Sequence, residues 1–275
     1  MFCFKTRFGQ NFSMQKNMGK FNTVWVTGTP RTGSMWTTNV IREIYLTKRY
    51  ALHPQEQLQY EREWLNLFRD HAIADTSANS RYVLKIHTLL NPNLPKSKFV
   101  VNTRNPYDIC ASFFDFTKCD LDRAIEVALN HRSVMEHYNS FKSGLLFVVK
   151  YEDLELDTIN LILALSEFIE CGISKAMARV ISSKYNKRAI KKLIKRTESE
   201  VQRKIREKDC VHNKMVVGRA DGSFRSFDLD TGFQSGHISR RNSGEWRNSF
   251  SQKQIAIVIN ALDGLVADMG YMSER

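Results

Sequence analysis

The sequence predicts a three-layer α/β/α architecture built on a central, mainly parallel β-sheet. Short runs of apolar and β-branched residues recur at 21–28, 82–87, 99–104 and 145–151. The segments between them carry apolar residues at helical rather than alternating spacing. The strand-like runs are themselves nearly continuously apolar, the pattern of strands covered on both faces by helices in βαβ units.

Residues 1–20 form a basic tail without a continuous apolar stretch, which argues against a signal peptide; the first acidic residue of the chain is Glu43. The run FNTVWVTG at 21–28 is the opening strand. Met35, Trp36, Val40, Ile41, Ile44 and Tyr45 then line one face of a helix. YVLKIH at 82–87 and FVVNTR at 99–104 give two further strands, the latter followed by Pro106, suited to open a helix, and by Asp108, suited to its positive first turn. LLFVVKY at 145–151 is the fourth strand. Residues 184–208 hold eleven Lys and Arg against three Glu, with Ile190, Leu193, Ile194, Val201 and Ile205 at helical spacing, and read as an amphipathic helix with a basic outer face. A long loop is expected over 217–244. Ser251 then caps a packing helix whose inner face is Ile255, Val258, Ile259, Leu262, Leu265, Val266 and Met269. Residues 21–275 are read as a single domain.

Composition narrows the class. With 42% hydrophobic and 25% charged residues and only 13 Gly and 5 Pro in 275 positions, the chain is neither collagen-like nor disordered. Its net charge of +12 suggests a polyanionic partner. Five scattered cysteines without a C-x-x-C pair point away from a disulfide framework or thiolate metal site and toward a reducing, cytoplasmic setting. No apolar run approaches the 18 residues expected of a membrane span.

Two segments carry chemistry. At 27–36, Thr-Gly-Thr-Pro-Arg-Thr-Gly-Ser-Met-Trp leads from strand to helix and can present unpaired backbone N–H groups to an anion, although the same residues also suit a purely structural turn. Gly33 is followed by Ser34 rather than the Lys-Ser/Thr of nucleoside triphosphatases. At 104–112, Arg-Asn-Pro-Tyr-Asp-Ile-Cys-Ala-Ser offers the Arg104 fork and the Ser112 hydroxyl to a phosphate, with an Arg104–Asp108 pair as the alternative.

In this order and spacing the segments resemble the cytosolic-type sulfotransferase family, which uses 3′-phosphoadenosine 5′-phosphosulfate (PAPS). TPRTGSMW resembles its 5′-phosphosulfate loop P-K-S-G-T-T-W, RNPYDICAS its 3′-phosphate motif R-N-P-x-D-x-x-x-S, and LKIH the K-T-H segment between them. YEDL at 151–154 resembles the family's Y-E-D-[LM], and RRNSGEW at 240–246 its late R-K-G-x-x-G-D-W loop. The resemblance spans about residues 21–250. It implies a P-loop nucleotide-kinase-like sulfotransferase fold with no metal. It also implies that Thr32, Gly33, Ser34 and Met35 hold the 5′-phosphosulfate and that Trp36 and Tyr151 flank adenine. Arg104 and Ser112, joined by Arg240 or Arg241, grip the 3′-phosphate. His87 becomes the base for the acceptor proton, and Lys85, with Arg31 in place of the usual loop lysine, stabilises the transferring group. Ser182 or Ser183 falls near adenine.

The acceptor implied is the hydroxyl or amine of a small molecule, a metabolite or natural product, with neither nucleic acid nor membrane as partner. The oligomeric state is left open. A nucleotide kinase would show a Walker lysine and a magnesium-holding carboxylate, and neither is evident. A nucleic-acid-binding protein could use 184–208 to track phosphates, but the ordered motifs would then lack a purpose. His53, His71 and His237 have no motif support and are assigned to surface or loop roles. The acceptor walls are expected in 46–79, 113–120 and 217–239, with Tyr50, Phe113, Phe114, Phe116, Phe224, Phe227 and Phe233 as candidates. Glu56, Asp75, Asp115, Asp221, Asp228 and Asp230 in the same stretches would suit a cationic acceptor.

Overall fold

The computed structural model describes residues 21–207, 213–218, 222–239 and 241–273. The proposed basic tail at 1–20 lies outside them. Five parallel strands form one sheet: β1 (Thr23–Gly28), β2 (Ala51–His53), β3 (Ser80–Lys85), β4 (Ser97–Thr103) and β5 (Leu146–Lys150), in the order β2-β3-β1-β4-β5.

The strands bury both faces by simple alternation. Val24, Val26, Val83, Val100 and Val149 point into one layer, where they meet Val40, Ile41 and Ile44 of α1 (Ser34–Thr47). Trp25, Leu84, Phe99 and Val101 point into the other, against Trp64 of α2 (Glu61–Leu67) and Phe68 of the π-helical turn Phe68–Ala72 that continues it. Beyond β4 come α3 (Pro106–Thr117) and α4 (Leu121–Asn139). After β5 follow α5 (Tyr151–Leu156), α6 (Thr158–Phe168), α7 (Lys175–Lys184) and α8 (Lys187–Arg206). The closing helix α9 (Gln252–Asp268) starts at the expected cap, with the Ser251 side chain accepting from the Gln254 N–H, and packs Val258, Leu262 and Val266 against α3 and α4.

Three expectations change. Three of the four recognised strands end one or two residues earlier than expected, because the motif residues His87, Arg104 and Tyr151 belong to the turns and helix starts beyond the sheet edge, while β1 ends at Gly28 as expected. β2 went unforeseen, since three residues give no period to detect. Within the expected long loop, β6 (Val216–Gly218) and β7 (Phe224–Ser226) pair antiparallel.

The basic helix α8 buries Ile190, Ile194, Thr197 and Val201 and exposes Arg188, Lys191, Lys192, Lys195 and Arg196. Ile205, expected on its inner face, is 43% exposed. No helix among the described residues is long and apolar enough to cross a membrane.

Candidate active site

All five strands are parallel, so their C-terminal ends share one edge. The chain turns to opposite sides after β1 and β4, opening a crevice where the topology switches. Gly28 makes this approach possible: at φ +130° it ends β1 so close to β4 that a Cβ would lie 2.4 Å from the Asn102 carbonyl oxygen. Gly33, at φ +95°, is the N-cap of α1 and provides no capping side chain, leaving first-turn N–H groups for an anion. A Cβ on Gly33 would meet Leu154 at 2.9 Å and Tyr151 at 3.0 Å, so glycine lets α5 close over the loop. Between them, Thr32 Oγ1 donates to the Thr29 carbonyl at 2.7 Å, and Arg31 adopts φ +76°, a left-handed conformation that non-glycine residues seldom hold.

The crevice contains a cavity of about 560 Å³ lined by Arg31, Gly33, Ser34, Met35, Trp36, Lys85, His87, Arg104, Ser112 and Tyr151, among others. Three cations meet in it without an ion pair among the described residues. Arg31 donates through Nε to Ser112 Oγ at 3.0 Å and through Nη2 to the His237 carbonyl at 2.9 Å. Arg104 donates to the Arg31 carbonyl at 3.2 Å and covers the Tyr151 ring at 3.9 Å, while its buried Nε has no hydrogen-bond partner. Burial, reinforced by Arg104, lowers the Arg31 pKa to about 9, and burial lowers that of Lys85. Positive charge drawn partly out of water without an ion-pair partner is costly, and an anion entering the cavity would relieve it.

His87 has a defined tautomer. Its Nδ1 lies 2.7 Å from the Gly28 carbonyl oxygen, which can only accept, so Nδ1 carries the hydrogen and Nε2 is left as an acceptor facing Lys85 Nζ at 3.4 Å. Burial and the Lys85 charge hold its pKa down at about 4, keeping the imidazole neutral near pH 7. Glu61 fixes the turn from the other side by accepting from the His87 backbone N–H at 2.5 Å and from the Thr88 hydroxyl at 2.6 Å.

Trp36 and Tyr151 line the cavity together with Tyr185, whose carbonyl accepts from Trp36 Nε1 at 3.1 Å. Ser182 lines it as well, as does Lys187, paired with Glu155 at 2.5 Å. The 104–112 segment is stabilised by the Asn105 side chain capping α3 at the Tyr107 N–H, with Pro106 opening the helix. Asp108 accepts from the Gly244 N–H rather than forming an ion pair with Arg104, which pins the late loop to α3.

The structure thus brings together Arg31, Gly33, Ser34, Met35, Trp36, Lys85, His87, Arg104, Ser112 and Tyr151. Thr32 is buried beneath the loop. Arg241 turns to Asp115 and the Ala111 carbonyl, beside the cavity rather than along it. Arg240 lies outside the described residues. Of the suggested acceptor walls, Phe116, Phe227 and Phe233 line the cavity. None of Glu56, Asp75, Asp115, Asp228 or Asp230 does, and Asp221 lies outside the described residues.

His237, read in the sequence as a loop histidine, lines the cavity and stacks on Phe116. Glu61 was not singled out. No local pattern marks either residue: each reaches the site through the tertiary path of its segment.

Solved structures of the same architecture include retinol dehydratase in complex with androsterone and inactive cofactor PAP, 16% identical, with a TM-score of 0.53 over 94% of this chain and 84% of that one. The complex with retinol and PAP gives a TM-score of 0.55 at 16% identity, over 93% and 84%. A mouse sulfotransferase complexed with PAP gives 0.54 at 14% identity, over 90% and 86%. At such identities the likeness establishes the fold. No curated protein matches the chain significantly by sequence. The sulfotransferase domain pattern, however, matches residues 21–270, nearly the whole chain, and the protein belongs to the sulfotransferase domain family.

Proposed function

We propose that this chain transfers a sulfuryl group from PAPS to a hydroxyl or amine of a small molecule in the cytoplasm, with residues 21–275 forming one catalytic domain. The observation that carries this reading is the meeting, in one cavity, of three cations lacking ion pairs among the described residues with a neutral histidine whose Nε2 carries no hydrogen and faces Lys85.

The residues suit a bisphosphorylated nucleotide. Arg104, with its orphaned buried Nε, and Ser112 would hold the 3′-phosphate. The open N-terminus of α1, Arg31 and Lys85 would hold the 5′ end, and Trp36 and Tyr151 the base. When bound, PAPS supplies the sulfuryl group, its sulfur–oxygen bond to the 5′-phosphate breaking as the acceptor–sulfur bond forms, and departs as PAP. His87 Nε2 takes the proton from the acceptor, while the Nδ1–H bond to the Gly28 carbonyl keeps the ring in place. Arg31 stays protonated at pH 7 even with its lowered pKa, so it stabilises charge on the leaving phosphate as a fixed cation and not as a proton donor. Phe116, Phe227 and Phe233 exclude water from the acceptor end.

Support for a small acceptor comes from the size of the cavity, about 560 Å³, and from fold neighbours solved with androsterone or retinol beside PAP. Support for a cytoplasmic setting comes from the dispersed cysteines; Cys110, Cys119 and Cys171 are unbridged thiols.

Titration with PAP tests the proposal. At about 100 times its dissociation constant, a ligand bound only by the folded state adds roughly 2.7 kcal/mol, or about 5–10 °C in melting temperature for a domain of this size. A shift with ATP and none with PAP overturns the reading.

A further inference from the structure

We propose that His237 is the second histidine of the acceptor end, donating its Nε2–H to an oxygen close to, but distinct from, the hydroxyl that is sulfated. The acceptors would then be hydroxylated compounds carrying a second, hydrogen-bond-accepting oxygen near the reacting one. This rests on the sulfotransferase reading and adds a specificity-determining contact to it.

His237 is held in a fixed pose. The Gln234 backbone N–H donates to its Nδ1 at 3.1 Å, so in the neutral ring the hydrogen lies on Nε2, the tautomer opposite to that of His87. The ring stacks on Phe116 at 5.3 Å between centroids and 11° between planes, and meets the edge of Phe233 at 6.0 Å. Its carbonyl accepts from Arg31, fastening this segment to the phosphate loop. The ring lines the cavity, and its Nε2 has no partner among the described residues. Burial, with Arg31, Lys85, Arg225 and His87 around it, holds the imidazole neutral.

The cavity therefore presents one imidazole nitrogen that accepts, on His87, and one that donates, on His237. A donor placed on the nucleophilic oxygen itself would withdraw the lone pair that must attack sulfur, so the complementary atom is a neighbouring oxygen. A donor left unpaired in a desolvated site is penalised, so an acceptor lacking that oxygen binds less well.

The probes are 2-methoxyphenol and 2-ethylphenol, similar in size and differing in the second oxygen. Binding to the PAP-loaded protein is measured by calorimetry, and sulfation from PAPS by mass spectrometry. The wild type should favour 2-methoxyphenol about three- to tenfold in affinity and in kcat/KM. His237→Phe, which keeps a flat ring against Phe116, should bring the ratio to about one with PAP affinity retained, and His237→Gln, which keeps a donor, should recover part of it. Side-chain nitrogen NMR of the ligand-free wild type should show the hydrogen on Nε2 of His237 and on Nδ1 of His87. The proposal falls if the wild type shows no preference or binds neither phenol, if the preference survives in His237→Phe, or if His237 carries its hydrogen on Nδ1. Should His237→Phe fail to fold, the His237→Gln ratio and the wild-type spectrum still decide. Failure of PAP itself to bind would instead overturn the sulfotransferase reading.

Discussion

Two regions of this molecule are rich in positive charge, and they use it in opposite ways. In the cavity, Arg104 is buried and Arg31 and Lys85 are half-buried, none in an ion pair among the described residues, and the charge is felt as lowered pKa values at Arg31 and Lys85, with an orphaned nitrogen on Arg104. On α8, Arg188, Lys191, Lys192, Lys195 and Arg196 stand in solvent, where high dielectric and salt within a Debye length of about 8 Å neutralise their mutual repulsion. The stretch 184–208 carries most of the net charge of the chain, yet three side chains carry the chemical consequence. Where a cation is buried matters more than how many cations there are.

The sharpest way to break this comparison is to remove the group that the cavity cations surround. His87→Ala should lower turnover by about 10²–10⁴ while leaving PAP affinity within a few-fold, read by product formation and calorimetry on the same sample. Turnover within tenfold of wild type would remove His87 as the base.

Next in size, Arg104→Ala would delete the proposed charge-assisted phosphate contact, worth about 1.5–3 kcal/mol, and should weaken PAP binding about ten- to hundredfold. An unchanged dissociation constant would separate Arg104 from the nucleotide.

A third test uses acid. The folded-state pKa values of His87, at about 4, and of His131, at about 3 in its buried site between Thr29 and Thr103, lie below the ordinary value of 6.5. The unfolded chain therefore binds more protons between pH 6.5 and 4. Both histidines contribute stability above pH 6.5 that is lost as pH falls through that window. The melting temperature of the ligand-free protein should drop between pH 7 and pH 5, and a flat profile would contradict the burial of these rings.

The smallest effect belongs to the exposed charges. Lys191→Gln, Lys192→Gln and Lys195→Gln combined should alter PAP affinity by no more than about twofold at physiological salt, and each should change stability by no more than about 0.5 kcal/mol. A tenfold loss of affinity would mean that α8 does more than stay hydrated.

Much of this was legible in the sequence where function depends on local chain geometry. The glycines at 28 and 33, the strand-to-helix turn and the Asn105–Pro106 start of α3 are short-range features, and Arg31, Ser34, Trp36, Lys85, His87, Arg104 and Ser112, singled out from the motifs around them and from LKIH, all line one cavity. The same approach passed over His237 and Glu61, which come from segments 150 and 26 residues away from His87 in the chain and have no periodic or motif context. It also allowed a cationic acceptor, because acids in loops cannot be oriented from sequence; in the structure Glu56 pairs with Lys214, Asp115 with Arg241, and Asp228 accepts from Thr231, all outside the cavity lining.

The sequence by itself determined the alternation of buried strands and helices and the strand-to-helix turn that can cradle an anion, because each follows from residue spacing over a few turns of chain. The tertiary structure alone decided which nitrogen of His87 and of His237 carries the hydrogen, that Arg31 bridges Ser112 to the His237 segment, and that the cavity cations have no ion pair among the described residues. Those properties depend on partners distant in the chain and on the exclusion of water, and neither exists until the layers have packed.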